Sequence, residues 1–465
     1  MNDQSQGFLN RTLRGFRRAW RRSGKQGELN ASLPDGDAQR LRRKIDACLE
    51  ARGGDVSARV RAAELGESYL ALNEVGRRRF LAILAREYGV DRNAVDNAIS
   101  ERAAARNPIA RRAADAKLKR ALVPPRIQLL SQFNGLDQGV KFLVDLRAEL
   151  MRLSETRPYL RPMDRELRQL LESWFDVGFL NLERITWETP ASLLEKLIAY
   201  EAVHRIRSWD DLKNRLEADR RCYAFFHPNM PGEPLIFVEV ALVTGISDNV
   251  QQLLDEAAPA EDPDKADSAI FYSISNCQQG LTGISFGNFL IKQVADHIAR
   301  RLPNIKNFAT LSPIPGFRGW LDSQLASADA KLLSPAEGKN FQALGNADSG
   351  NTGLMNLLRQ SAWLADDTMV SLLQPVLTRL CATYLLNERI DGRAADRVAH
   401  FHLSNGARIE RINWLADTSR RGMAQSLGMM VNYKYRLDRV ERNHEAYTGD
   451  GTVSAASSVR RLVKS

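Results

Sequence analysis

Apolar residues recur at two periods along this chain, and the point where one replaces the other is the main signal of its organisation. From Gly36 to Leu182 the spacing is helical almost throughout. Leu41, Ile45, Cys48 and Leu49 share one face. Phe80, Leu81, Leu84 and Tyr88 share another, with Gly89 placed to end that helix. Leu167, Leu170, Leu171 and Trp174 mark a third. Few β-branched alternating runs interrupt, so the pattern predicts an all-α bundle. At Thr186 the pattern changes. A short helix is predicted from Ser192 to Ala202, more helix from Leu212 to Arg220, then strands at Arg221–Phe226 and Leu235–Leu242. Pro231-Gly232-Glu233-Pro234 lies between those strands, the signature of an antiparallel hairpin.

The stretch from Ser268 to Trp320 organises the second half of the chain. Ala269–Ser275 is apolar and β-prone, and Gln278-Gln279-Gly280-Leu281-Thr282-Gly283 breaks it. Phe286, Leu290, Val294 and Ile298 then fall four apart, one face of a helix. Asn304–Leu311 reads as another strand and delivers Ser312 to Pro313-Ile314-Pro315-Gly316. A glycine turn feeding a helix start offers backbone N–H groups to an anion, notably phosphate. The unit therefore predicts part of a phosphate-bearing ligand site with a hydroxyl held beside it. Asp322–Thr352 reads as irregular, and helix resumes from Leu354 through Leu373, Leu377, Leu380 and Tyr384, with Pro375 starting or kinking the last helix. The tail after Tyr447 reads as loose.

The first 34 residues form a basic tail in which Leu9, Leu13, Phe16 and Trp20 line one helical face. They are read as a solvated terminus, with a membrane-surface helix or organelle presequence as the alternative. The net charge of +10 suits an anionic partner without choosing among a nucleotide-like ligand, nucleic acid and a membrane surface. Arginine runs such as Arg77-Arg78-Arg79 come without the aromatic and glycine pattern of an RNA module, so nucleic acid is not expected. Four scattered cysteines exclude a zinc ribbon and a disulfide framework. The longest apolar run, Leu235–Val243, is too short to span a bilayer, and the chain lacks a Ser-Lys-Leu ending.

Candidate chemistry is sparse. The six histidines offer no metal-ligand spacing beyond His400 and His402, which would share a face in a strand. No G-x-S-x-G surrounds Ser312. The two prolines after Ser312 fix the backbone and hold it extended, a good setting for a positioned hydroxyl; a turn serine is the equal alternative. His402 precedes the tight-turn signal Asn405-Gly406 and is polar in an apolar stretch.

Several separate motifs, in order, resemble one family. Ser273-Ile274-Ser275, Gln278-Gln279-Gly280-Leu281, Leu311-Ser312-Pro313-Ile314-Pro315-Gly316-Phe317, Phe401-His402-Leu403-x-Asn405-Gly406-Ala407, Arg411-Ile412-Asn413-Trp414 and Asn432-Tyr433-x-Tyr435 look like malonyl-CoA decarboxylase. Glu201-Ala202-Val203-His204, Arg221-Cys222-Tyr223 and Pro231-Gly232-Glu233-Pro234-Leu235 agree. The match covers roughly Asn181 to Tyr447. The resemblance implies an α+β chain: a helical, oligomerising domain over 35–185, then a GNAT-like mixed-sheet catalytic domain over 186–465. It implies Ser312 and His402 as the catalytic pair, with Ser273 and Tyr435 lining the site. It implies that Gln279, Thr282, Gly283, Ile284, Ser285, Phe286, Gly287 and Asn288, with Asn405, contact the acyl-CoA. Animal members carry glutamate at the position of Ser285, which leaves Ser312 to find other support. It implies no cofactor, malonyl-CoA and acetyl-CoA as the ligands, a homo-oligomer of tetramer size, and a cytoplasmic or mitochondrial-matrix location. An acyl-CoA N-acyltransferase or a non-catalytic acyl-CoA sensor on the same fold is the alternative. His402, with an ordinary pKa near neutrality, is expected to give or relay a proton.

Overall fold

The computed structural model describes residues 29–50, 54–175, 179–284, 290–327 and 330–464. The helical face read in the basic tail, and Ser285, Phe286, Gly287 and Asn288, lie outside them. Among the described residues eight α-helices precede the first strand: α1 (Asp35–Leu49), α2 (Gly54–Ala71), α3 (Glu74–Glu87), α4 (Arg92–Ala104), α5 (Pro108–Ala121), α6 (Pro125–Ser131), α7 (Gly139–Ser154) and α8 (Arg161–Glu172). Their starts follow capping rules. The side chains of Asn73, Asp91 and Asn107 each accept from the first-turn amides of α3, α4 and α5. α7 is the central helix and buries Val140, Phe142, Leu143, Val144, Leu146, Leu150 and Leu153.

The sheet region begins with β1 (Asn181–Ile185), α9 (Ala191–Tyr200), α10 (Trp209–Asn214), β2 (Arg220–Phe226), β3 (Ile236–Val243), α11 (Val250–Leu253), β4 (Ser268–Asn276), α12 (Leu290–Arg301), β5 (Asn307–Thr310) and β6 (Ser312–Pro313). Then come α13 (Phe317–Ala326), α14 (Pro335–Leu344), α15 (Gly350–Arg359), α16 (Asp367–Asn387), the short pair β7 (Arg389–Ile390) and β8 (Arg393–Ala394), α17 (Arg397–Ser404), β9 (Arg408–Asn413), α18 (Arg420–Ser426), β10 (Met430–Lys434), α19 (Val440–Asp450) and α20 (Ser457–Leu462). The main sheet runs β1-β2-β3-β4-β5-β10-β6, with β9 also beside β10. β1 to β4 are mutually antiparallel, β4 and β5 are parallel, and β10 is antiparallel to β5, β6 and β9. The chain is therefore mixed helix and sheet, a helical part followed by a sheet part. The expected boundary at 185/186 falls at the end of β1, whose five residues belong to the sheet.

The sheet opens at its centre. β4 and β5 stay in register only from Ser268↔Asn307 to Phe271↔Thr310, and Leu311 N–H reaches Phe271 O. Beyond that point β4 continues to Asn276 against β3, while Ser312 and Pro313 pair with Val431 and Met430 of β10. One apolar cluster covers the near face of the sheet and joins it to the helices: Leu143 and Val144 of α7 share it with Phe271, Phe308, Leu281 and Ile284. Smaller clusters cover the far face.

Three expectations are corrected. Asp322–Thr352 is largely helical: Ser334-Pro335, expected in a loop, is an N-cap followed by an N1 proline, and Glu337 closes a capping box. The end of the chain is ordered rather than loose, because α20 buries Val459 and Ala456 N–H bonds to Ile409 O. The helix expected to run from Leu212 to Arg220 stops at Asn214, and Arg220 already pairs with Ala241 of β3. α16 runs unbroken through Pro375. By length and composition it is the one described helix able to cross a membrane. Leu373, Val376, Leu377, Leu380 and Leu385 bury it in the core instead.

Candidate active site

His402 and Ser312 are 90 residues apart in sequence and meet at 3.1 Å, imidazole Nε2 to serine Oγ. Local chemistry places each. The backbone holding Ser312 switches partner from β4 to β10 at Leu311, just where the prolines stop further ladder bonding on their own N–H side. His402 lies in the last turn of α17, not in a strand as its spacing from His400 would require for a shared face. Asp396 starts that helix: Oδ1 accepts from Val398 and Ala399 N–H, while Oδ2 accepts from Gly316 N–H at 3.0 Å. One carboxylate thus ties the histidine helix to the turn beyond Ser312. The helix ends in a Schellman motif, with Ala407 N–H to His402 O and Gly406 N–H to Leu403 O. Gly406 takes φ +79°, and a β-carbon there would lie 2.1 Å from Val440 O. The Asn-Gly-Ala signal is therefore a helix stop, and Asn405 serves it by bonding Phe401 O through Nδ2.

The imidazole is boxed on all sides. Tyr435 Oη lies 2.8 Å from Nδ1, and the Tyr433 ring stacks on it with centroids 4.5 Å apart. Ser312 Oγ donates to Thr310 Oγ1 at 2.8 Å. That direction assigns the tautomer: Nε2–H donates to Ser312, and Nδ1 accepts the Tyr435 hydroxyl. Asn432 fixes Thr310 from behind, its Nδ2 donating to Thr310 O at 2.7 Å and its Oδ1 accepting from Asn413. Tyr433 N–H donates to Thr310 Oγ1. So Asn432, Tyr433 and Tyr435 of one short motif each serve the same chain of hydrogen bonds. Burial pushes His402 down to about 3, so the imidazole is neutral at neutral pH, not partly charged as its ordinary pKa suggests. Burial also raises Tyr435 well above its usual range.

The other expected site residues divide. Thr282 and Gly283 are exposed at the glycine turn, as is Gln279, while Ile284 is buried beneath it. Ser273 is not brought to Ser312. A register shift at Glu239/Val240 turns its side chain to the far face of β4, where Oγ donates to Glu201 Oε2 at 2.7 Å. Ser275 Oγ donates to the same oxygen, and Glu201 Oε1 accepts from Val203 and His204 N–H. Nearby, Arg215 bonds both Asp211 and Glu239. Sequence reasoning missed Thr310, Asp396 and the role of Glu201. An Asp one residue before a helix pattern was the available signal for Asp396.

The sequence pattern of the malonyl-CoA decarboxylase C-terminal domain matches residues 178–465, and that of the N-terminal domain matches 88–175. The chain belongs to the malonyl-CoA decarboxylase family. It is 40% identical over 420 residues to the goose (Anser anser anser) protein named malonyl-CoA decarboxylase, mitochondrial, covering 87% of this chain and 83% of that one. The rat (Rattus norvegicus) protein of the same name is 37% identical over 451 residues, covering 94% and 90%. Crystal structures of malonyl-CoA decarboxylase from Rhodopseudomonas palustris and Agrobacterium vitis superpose with TM-scores of 0.83 and 0.82, at 42% and 41% identity. Each covers 91% of this chain and 99% of its own. The acyltransferase and sensor alternatives find no support among these relatives.

Proposed function

We propose that this protein converts malonyl-CoA to acetyl-CoA and CO2 with its own side chains and no cofactor. The observation that carries the reading is the buried Ser312–His402 contact beside the opening between β4 and β6, in a chain of this family. The opening between parallel central strands supports a GNAT-like site, with the acyl-CoA entering from the glycine turn and its thioester lying by Ser312.

Decarboxylation needs an electron sink, and the substrate's thioester carbonyl supplies one. The C–C bond pair moves into that carbonyl as CO2 leaves, and the resulting enolate must be stabilised and protonated. One preorganised donor to an enolate oxygen contributes about 3 kcal/mol, and a positioned general acid about 10²–10⁴-fold. The resting imidazole is neutral because its partners are neutral and the site is dry. A malonyl carboxylate entering that site supplies a negative charge, which favours the protonated ring. His402 then takes up one proton at Nδ1, and Tyr435 turns from donor to acceptor. As Nε2–H passes to Ser312 Oγ, the serine proton passes to the α-carbon. Serine and histidine end neutral, and the substrate has gained one proton and lost CO2. The Tyr435 proton is not consumed, consistent with burial opposing its ionisation.

We further propose a homo-oligomeric, cytoplasmic enzyme, read from the family and its bacterial members; size measurement and cell fractionation test both. The activity is tested by CO2 and acetyl-CoA release from malonyl-CoA in EDTA. Release is expected. Saturable binding of malonyl-CoA without release would refute the decarboxylase reading.

A further inference from the structure

We infer that the helical part of the chain completes the acyl-CoA phosphate site, with Arg147 of α7 as the positioning residue of its amide turn and Arg168 of α8 as a cation beside it. The inference rests on the proposed activity only in taking the glycine turn as the place where a diphosphate ester binds.

Arg147 is 2% exposed, yet its guanidinium is directed mainly at main chain. Nη1 donates to Gly280 O at 2.6 Å and to Thr282 O at 3.0 Å, while Nε donates to Asp164 at 3.1 Å. A trans peptide holds its N–H opposite its C=O. Capturing the Gly280 and Thr282 carbonyls therefore orients the amides of Leu281 and Gly283. Leu281 N–H bonds back to Gln278 O. Gly283 N–H is aimed away from Arg147, on the side where Thr282 and Gly283 are exposed.

The turn cannot move independently of α7. A β-carbon on Gly280 would lie 1.7 Å from Val144 O, so turn and helix are in direct backbone contact. On the outer side, the Arg168 guanidinium lies 3.5 Å from where a β-carbon of Gly283 would sit, and it pairs with Glu172 one helical turn on. Gly283 adopts φ +79°, so no side chain separates amide from cation. An amide turned from Arg147 and a guanidinium beside the same exposed glycine suit a phosphate oxygen. Both arginines come from helices that precede the sheet in the chain. Affinity for the nucleotide end of the substrate is thus set from outside the sheet that holds Ser312 and His402.

The test uses the full chain with Arg147→Lys, which keeps the charge but cannot bridge two carbonyls and Asp164. CoA binding is measured by calorimetry, and turnover is compared for malonyl-CoA and malonyl-pantetheine, which lacks the diphosphate. We expect CoA affinity to fall at least about tenfold and the KM for malonyl-CoA to rise with it. kcat should stay within about threefold, and kcat/KM for malonyl-pantetheine should be unchanged. Equal losses on both thioesters, or unchanged CoA affinity, would overturn the inference. Should Arg147→Lys not fold, Asp164→Ala removes the acceptor of the Nε contact and is expected to weaken CoA in the same sense, again without effect on malonyl-pantetheine. An unsubstituted protein that binds CoA but releases no CO2 removes the activity reading, and the CoA affinities alone then decide this one.

Discussion

The two faces of the sheet around β4 handle buried polarity in opposite ways. On the near face, Tyr435, His402, Ser312 and Thr310 form a chain of neutral hydrogen bonds. On the far face, within the same sheet, Arg215 bonds Asp211 and Glu239, and Glu201 accepts four hydrogen bonds from two serines and two amides. Hydrogen bonds satisfy these groups, Arg215 to two carboxyls and Glu201 to serines and amides, so they hold the loop after α9 and the outer half of β4 in place. Among the described residues the near-face imidazole has only neutral hydrogen-bond partners, so an electrostatic partner is one a substrate can bring. Burial pushes the two ionisable groups in opposite directions, each toward neutrality: Glu239 up to about 8, with Glu201 adding to the shift, and His402 down to about 3. A buried, neutral site thus lies next to a charged, hydrogen-bonded one, and the proposed mechanism assigns the reaction to the first and its support to the second.

The sharpest contrast lies on the near face. Ser312→Ala and His402→Gln are each expected to lower kcat by about 10²–10⁴-fold while the far-face network keeps the fold. The double variant is expected to lose little more than either single one, because the two act as a unit. Acetyl-CoA formation and thermal unfolding measure both halves; a fully active Ser312→Ala enzyme sinks the pair assignment.

The far face should respond in stability. Arg215→Met strands two buried carboxyls and is expected to cost about 3–5 kcal/mol in urea unfolding, with kcat of the remaining folded enzyme little changed. A loss of kcat without loss of stability would erase the distinction between the faces.

Acid tests the same contrast. The folded pKa of His402 lies below its ordinary 6.5, so between about 6.5 and 3 the unfolded chain binds a proton that the folded chain does not. Its contribution to stability is present above pH 6.5 and lost as pH falls, at about 1.4 kcal/mol per pH unit. From pH 6.5 to 5 that is about 2 kcal/mol, and His402→Gln should show the shallower slope. The smallest effect expected is Tyr435→Phe, which leaves Nδ1 without its donor. It should cost about 1–2 kcal/mol of stability and about tenfold in kcat, measured on the same samples.

Much of the fold was legible because it reflects local periodicity. Helical spacing marked α1, α3 and α8, and alternation with turn residues marked β2, β3 and β4. Small polar residues between Asp322 and Thr352 hid the helical pattern, although a capping box at Ser334 and Glu337 starts a helix there. The tail beyond Tyr447 showed no long periodic run, and its order comes from a bridge to Ile409 that no local pattern encodes.

The family could be read from the sequence because many separate motifs occur in order, and it was that resemblance, not composition or spacing, that implied the pair Ser312 and His402. The surroundings of that pair came from the folded chain. Folding turned Ser273 to the far face through a one-residue register shift, which reverses a strand side chain's side. It brought Asp396 and Thr310 to the pair, set Arg147 under a turn 133 residues away, and made His402 neutral. Desolvation is a property of everything packed around a group, and the chain elements that exclude water from His402 lie far from it in sequence.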